Sequence, residues 1–268
     1  MKLWLEGVGL LAPGLQGWAA GAPVLAGQAP YERAPTEVAA STLLPAAERR
    51  RAGLPVKLAL AVGQEAFANA ARDPGATATV FTSSSGDGEN LHRICETLAG
   101  SEREISPTRF HNSVHNAPAG YWSIAVGARE ASTSLCAHDM SFAAGLIDAC
   151  AQTLCEQVAV ALIACDQPYP EPLHGVRPIA GSVCVGMVLT HQATAPALAV
   201  LEVELLPADG AVTRMEEPQL EALRAGAPAA RALPLLAAVA RAKAQGASGV
   251  VDLEYTGALK MRVTVRPC

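Results

Sequence analysis

The chain has 268 residues, of which 50% are hydrophobic and 17% charged, and it carries a formal net charge of −5 at pH 7. A chain of this length and composition folds as one domain or two merged ones and is not disordered. Arg49-Arg50-Arg51 is its largest basic cluster, so no nucleic-acid footprint is expected, and no apolar run is long enough to span a bilayer. Aromatic residues make up only 4%, and a core built on Ala and Val predicts helices packed closely on a sheet. The seven cysteines, at 95, 136, 150, 155, 165, 184 and 268, show no CxxC spacing. They read as buried free thiols of a cytoplasmic protein, without a disulfide framework or a zinc site.

The opening MKLWLEGVGLLAPGLQGWAAGA imitates a signal peptide, but Glu6, Gly7, Gly9 and Pro13 interrupt its apolar run. Residues 2–11 are therefore expected to form a first strand, and 12–55, rich in Pro, Gly and Ala, a loop with a short helix. Val56, Leu60, Val62 or Gly63, Phe67 and Ala71 share a face and predict a helix over 56–72, stopped by Asp73-Pro74-Gly75. Residues 76–82 are a strand, followed by a turn and a helix over 88–98 capped by Ser85 or Asp87. Ser106-Pro107 starts a helix expected to reach 116 and break near Pro118, with 121–127 continuing as a second helix. Residues 131–135 are β-prone, 139–154 form a strong helix, and the apolar run 157–165 is a central strand buried on both faces. Strands at 182–190 and 197–206 are expected to pair as a hairpin-like unit. Helices at 217–224 and 233–244, the second stopped by Gly246, and one or two strands within 252–265 complete an α/β layered fold.

The chemistry is concentrated between His111 and Leu146. Cys136 follows the short β-prone segment and precedes a helix beginning near Asp139. A thiol at a helix N-terminus sees the positive end of the dipole, which favours the nucleophilic thiolate, and the free N–H groups there suit an oxyanion. A helix turn is expected to point His138 and Asp139 apart, with Asp139 as a cap. His111 and His115 lie four residues apart and are expected to share a helix face. They lack an HExxH pattern and a third ligand, so no metal is expected and hydrogen-bonded packing is the expected role. For Tyr121 and Trp122 core packing is the default expectation, and interface anchoring, for which such residues are enriched, is the alternative. Asp166 to Pro172 reads as a rigid loop. Ser85-Gly86-Asp87-Gly88 lacks a GxGxxG or P-loop context, so no nucleotide cofactor is expected.

Several phrases add up to a family likeness. They are Ile105-Ser106-Pro107, Phe110-His111-Asn112-Ser113, Asn116-Ala117-Pro118-Ala119-Gly120, Ile124-Ala125 and Gly127, then Ser-Thr-Ser-Leu-Cys-Ala at 132–137 before a helix and an apolar strand. This run resembles the N-terminal half of a β-ketoacyl synthase. Thr82-Ser83-Ser84-Ser85-Gly86 with Glu89 is similar to that family's glycine-rich turn, and the 56–72 helix to the one that follows its basic leader. The wording SVHNAPAGYWSIA at 113–125 and SFAAGL at 141–146 resembles the chain-length-factor-like ketosynthase homologues of bacterial aryl polyene-type pathways. The likeness covers residues 1–190 well and the rest weakly. It implies a thiolase-like layered α/β fold, with 1–190 as one complete ketosynthase half and 191–268 as a reduced C-terminal portion packed on it as one compact unit.

The resemblance puts Cys136 at the nucleophile position. Condensing members also use two histidines from the C-terminal half, in T-H-G-T-like and G-H-like turns. The six histidines here are 92, 111, 115, 138, 174 and 191, so none lies in 192–268 and neither turn is present. The resemblance therefore implies a non-condensing, chain-length-factor-like subunit of fatty acid or polyene-type biosynthesis, paired as a heterodimer with a catalytic ketosynthase. On that reading the strand of Ala131 to Leu135, with Ser132, Thr133 and Ser134, pairs across the interface. Phe110, His111, Val114, His115, Tyr121 and Trp122 line the interface and the acyl tunnel, and an acyl carrier protein docks mostly on the partner. The alternative is a thiolase-like acyltransferase with Cys136 as nucleophile and His111 or His115 as base.

Overall fold

The computed structural model describes residues 1–39, 41–101, 103–195 and 197–268. In chain order its elements are β1 (Lys2–Ala12), β2 (Leu15–Gln16), α1 (Trp18–Leu25), α2 (Ala46–Arg51), α3 (Leu54–Ala70), β3 (Ala78–Thr82), α4 (Gly88–Ala99), α5 (Pro107–His111) and α6 (Ala117–Val126). There follow β4 (Ser132–Leu135), α7 (Ser141–Cys155), β5 (Val160–Asp166), α8 (Leu173–Val176), β6 (Val183–Thr190) and β7 (Ala199–Pro207). The last elements are α9 (Pro218–Gly226), α10 (Leu233–Gln245), β8 (Gly249–Glu254) and β9 (Leu259–Arg266).

All the strands belong to one mixed sheet, in the order β4-β3-β5-β6-β1-β7-β9-β8, with β2 paired to β1. β4, β3 and β5 run parallel, and the other pairings are antiparallel. Helices cover both faces, so every residue of β3, β5 and β6 is buried and these strands read as continuous apolar runs. Side chains still alternate. Val160, Leu162 and Ala164 of β5 join the core under α7 and α10, whereas Ala161, Ile163 and Cys165 join the core under α3 and α6. Gly7 and Gly9 let α3 lie directly on β1: a Cβ at either position would stand 2.1 Å from a carbonyl oxygen of Ala66 or Val62. The glycines that broke the apolar pattern of the opening are thus packing residues. β7, β8 and β9 extend the same sheet, and α10, buried along most of its length, packs on α1, β8 and β9.

The structure corrects several expectations. β6 and β7 are not a hairpin, because β1 lies between them and pairs with both, Leu5 facing Leu189 on one side and Ala199 on the other. The helix from Pro107 ends at His111, and Pro118 lies in the first turn of α6 instead of breaking a helix. Its missing N–H costs nothing there. His111 and His115 therefore do not share a helix face. Nor are all the cysteines buried free thiols. Cys165 and Cys184 meet in register across β5 and β6 and form a disulfide, with Cα atoms 4.1 Å apart. Cys95, Cys136, Cys155 and Cys268 are exposed, and only Cys150 is a buried free thiol, its pKa pushed up to about 12 by burial. No helix among the described residues is long and apolar enough to cross a membrane.

Candidate functional site

The parallel strands β4, β3 and β5 end side by side. Thr82 pairs with Leu135 in β4 and with Ala164 in β5, so Cys136, Ser83 and Asp166 fall at neighbouring strand ends. The carboxyl ends of adjacent parallel strands are where open α/β sheets place their crevices. Cys136 is exposed there, and its thiol donates to the carbonyl of Ser84 at 3.3 Å.

The link from Cys136 to α7 differs from the expected helix start. α7 begins at Ser141, after a tight turn over His138–Met140 in which His138 takes a left-handed φ of 52°. The Ser141 hydroxyl accepts from the N–H of Ala137 at 3.0 Å and donates to the carbonyl of His138 at 2.7 Å, which fastens the turn. Asp139 does not cap α7. Its carboxylate is drawn instead to Arg177 at 2.9 Å and Arg231 at 3.4 Å. The turn brings His138 to Arg177 and within 3.5 Å of Asp139, so the pair is not pointed apart. Two guanidinium groups outcompete one backbone N–H for a carboxylate.

The expected interface and tunnel residues divide into three groups. Trp122 is 1% exposed, stacks on Phe67 at 5.5 Å and meets Phe81 edge-on at 6.5 Å. Tyr121 is buried as well, its hydroxyl donating to Asn112 at 3.1 Å. Both are core residues and neither offers a surface anchor, since α6 turns them toward α3. His115 Nε2 lies 3.2 Å from the carbonyl of Ser83, which only accepts, so this nitrogen carries the proton. His115 and Val114 also border an apolar cavity of about 30 Å³ with Val56, Phe81 and Ile163. Cys136 is not among its lining residues. Phe110 and Val114 form the third group, 68% and 53% exposed, beside Ile124, which is not among the expected residues and is 56% exposed. They line an open depression of about 620 Å³ together with His111, whose ring meets Tyr121 edge-on at 6.3 Å.

β4 is one of the two edge strands of the sheet, at the opposite end from β8. Ser132 accepts from the hydroxyl of Thr79 at 2.9 Å and Thr133 from the amide of Gln152 at 3.1 Å, while Ser134 pairs with Phe81 in the β3–β4 register. Among the described residues, no strand pairs with the other side of β4, and no group of three His, Cys, Asp or Glu residues is placed to hold a metal ion.

Asp166 is the residue that sequence reasoning missed. It reads as the start of a loop, yet it ends β5 and is 3% exposed. Its Oδ1 accepts from the N–H of Ser84 at 2.8 Å and the hydroxyl of Ser83 at 3.4 Å. Burial pushes its pKa up to about 6, against the pull of hydrogen bonds from Ser84, Ala229 and Ser83. The available signal was a lone acid closing a wholly apolar strand. Asp87, one of the two caps expected for α4, accepts from the N–H of Asn90 at 3.0 Å, and burial raises its pKa too.

A mixed sheet covered on both faces, with a cysteine at the end of an edge parallel strand, is a layered α/β arrangement, and it matches the thiolase-like fold of known ketosynthases. The chain belongs to the β-ketoacyl synthase N-terminal domain family, whose model matches residues 18–247. Solved structures share the fold at low identity. One is the ketosynthase ApeO in complex with its chain length factor ApeC from Xenorhabdus doucetiae, with 21% identity, a TM-score of 0.72 and 99% of each chain covered. Another is the ishigamide ketosynthase/chain length factor, with 15% identity, a TM-score of 0.75 and coverage of 100% of this chain and 99% of that one. A third is the type II polyketide synthase assembly of AntDE with the carrier protein AntF, with 10% identity, a TM-score of 0.77 and the same coverage. No curated protein matches the sequence.

Proposed function

We propose that this chain is a non-condensing, chain-length-factor-like subunit that pairs with a catalytic β-ketoacyl synthase and shapes its acyl tunnel in polyene-type or fatty acid biosynthesis. The observation that carries this reading is the setting of Cys136. Its thiol is bonded to a carbonyl, His115 is engaged by Ser83, and His138 is turned to Arg177 and Asp139. Decarboxylative condensation needs groups that stabilise a developing oxyanion and move a proton. Among the described residues no histidine hydrogen-bonds the Cys136 thiol.

Two further features support pairing. The outer edge of β4 suits strand addition from a partner. The Phe110, Val114 and Ile124 surface offers an apolar patch for the same contact. The names of two similar structures, each a ketosynthase with a chain length factor, agree with such an assembly. On this reading residues 1–190 correspond to one ketosynthase half and 191–268 to a reduced second portion, in a cytoplasmic heterodimer whose acyl carrier protein docks mostly on the partner.

The test is co-expression with a ketosynthase from the same source, followed by mass spectrometry of the product chain. A stable heterodimer is expected, with Cys136→Ala leaving turnover and product length intact. If the isolated chain transfers acyl groups and Cys136→Ala abolishes that transfer, the protein is a thiolase-like acyltransferase and the proposal fails.

A further inference from the structure

The buried carboxyl of Asp166 has no part in the function proposed above, yet it ends β5 beside the strand ends that carry Ser83 and Cys136. Its Oδ1 takes the N–H of Ser84 and the hydroxyl of Ser83. That hydroxyl in turn accepts the N–H groups of Ser85 at 3.3 Å and Gly86 at 2.9 Å, so the whole turn between β3 and α4 is tied to Asp166. The two carbonyls of the same turn hold side chains from elsewhere in the chain. Ser84 holds the Cys136 thiol of the β4–α7 link, and Ser83 holds the His115 imidazole of the α5–α6 link.

We propose that Asp166 is the positioning residue of these strand ends: its carboxylate fastens the Ser83–Ser84 turn so that the turn's carbonyls seat the Cys136 thiol and the His115 imidazole, and proton uptake by Asp166 loosens both seats. A carboxylate accepts hydrogen bonds roughly twice as strong as those to a neutral acceptor. Protonation therefore weakens the fastening without removing any atom. The raised pKa of the buried carboxyl, about 6, brings the change within mildly acidic conditions. The charged or titratable groups on the elements packed against β5 and on the turns around Asp166 are Lys57, Glu65, Asp87, His115, Cys136, His138, Asp139, Asp148, Cys150, Cys155 and Arg231. None of them is among the causes acting on Asp166, which are burial and the hydrogen bonds of Ser84, Ala229 and Ser83. The inference holds whether or not the chain condenses acyl groups.

The experiment follows the full-length, nitrogen-15-labelled protein between about pH 5 and 8, a range that brackets the raised carboxyl. The Ser84 and Gly86 amide shifts report the turn. Iodoacetamide labelling of Cys136, measured as a ratio to Cys95 and Cys155, reports the thiol. Taking Cys136 as a ratio to two other exposed thiols at the same pH removes the pH dependence common to thiol alkylation, so the ratio isolates the seat of Cys136.

The expected result is a Ser84 step with a midpoint near 6. The Cys136 ratio should rise by about fivefold on the acid side, as when one charge-assisted bond becomes a neutral one. Asp166→Asn should show the high ratio at every pH and no Ser84 step. Ser83→Ala, a milder change, should raise the ratio while keeping the step. A Ser84 amide that does not titrate overturns the proposal, as does a titrating amide with a flat Cys136 ratio. Both readings come from the wild-type chain, so they stand even if Asp166→Asn does not fold.

Discussion

Gly63 lies directly beneath Trp122. A Cβ at this position would stand 2.5 Å from the indole ring and 3.0 Å from the side chain of Ile163. Neither neighbour is free to move, because Trp122 is clamped between Phe67 and Phe81 and Ile163 belongs to a fully buried strand. Gly63→Ala should therefore destabilise the chain by about 1–3 kcal/mol, the usual cost of overpacking, although alanine is the better helix former. The check is a urea midpoint that falls with an unchanged slope. The sequence reading allowed Val62 or Gly63 on the buried face without choosing. Both are buried, but only the packed structure shows that Gly63 makes room for the ring. Core packing is the default expectation for Trp122, with an interface as the alternative because its residue type suits both, and the seating of α6 on α3 decides for the core.

β4, α5 and α6 form one side of the molecule, and their surface is partly apolar. Phe110 and Ile124 are largely exposed, so charging either should leave the isolated chain's unfolding temperature nearly unchanged. If the proposed pairing holds, Phe110→Glu should nonetheless weaken association with the ketosynthase partner by about tenfold or more, as loss of an apolar anchor does. Sedimentation of the two-protein mixture reads this out, and undiminished association would place the interface on another surface. The elements themselves were largely legible. β1, α3, α4, α7, β5 and α10 lie close to where hydrophobic period, Asp87 and Gly246 predict them. The misread segment is 107–126, where a proline taken as a breaker is a first-turn residue. A Pro is compatible with either role, and the local sequence does not say where the chain must turn.

The whole molecule inherits a pH dependence from Asp166. Its pKa rises from the usual 3.8 to about 6 on folding, chiefly through burial. Between those values the folded chain holds a proton that the unfolded chain has released, so stability falls as pH rises through the window. A rise of that size is worth at most about 3 kcal/mol. Asp252 and Glu221 act in the opposite sense, their pKa values lowered by hydrogen bonds from Arg262 and Arg224. Their contribution is present above the ordinary carboxylate pKa and is lost as pH falls through it, so for Glu221, whose ordinary value is 4.5, the loss begins in the lower part of the Asp166 window. Thermal unfolding of wild type and Asp166→Asn across this range should show their stability difference changing through the window, and a constant difference would exclude the effect.

What the sequence by itself determined is the set of elements, the layered α/β class and the family likeness around Cys136. Those rest on periodicity, punctuation and local wording, which are written along the chain. The tertiary structure alone decided which strands are neighbours. That order places β1 between β6 and β7 and brings Cys165 against Cys184. It also gathers Asp166, Cys136 and His115, far apart in the chain, around the Ser83–Ser84 turn. The physical reason is that burial and hydrogen-bond partners are set by register between distant segments, and a one-residue slip in register would turn each side chain to the other face.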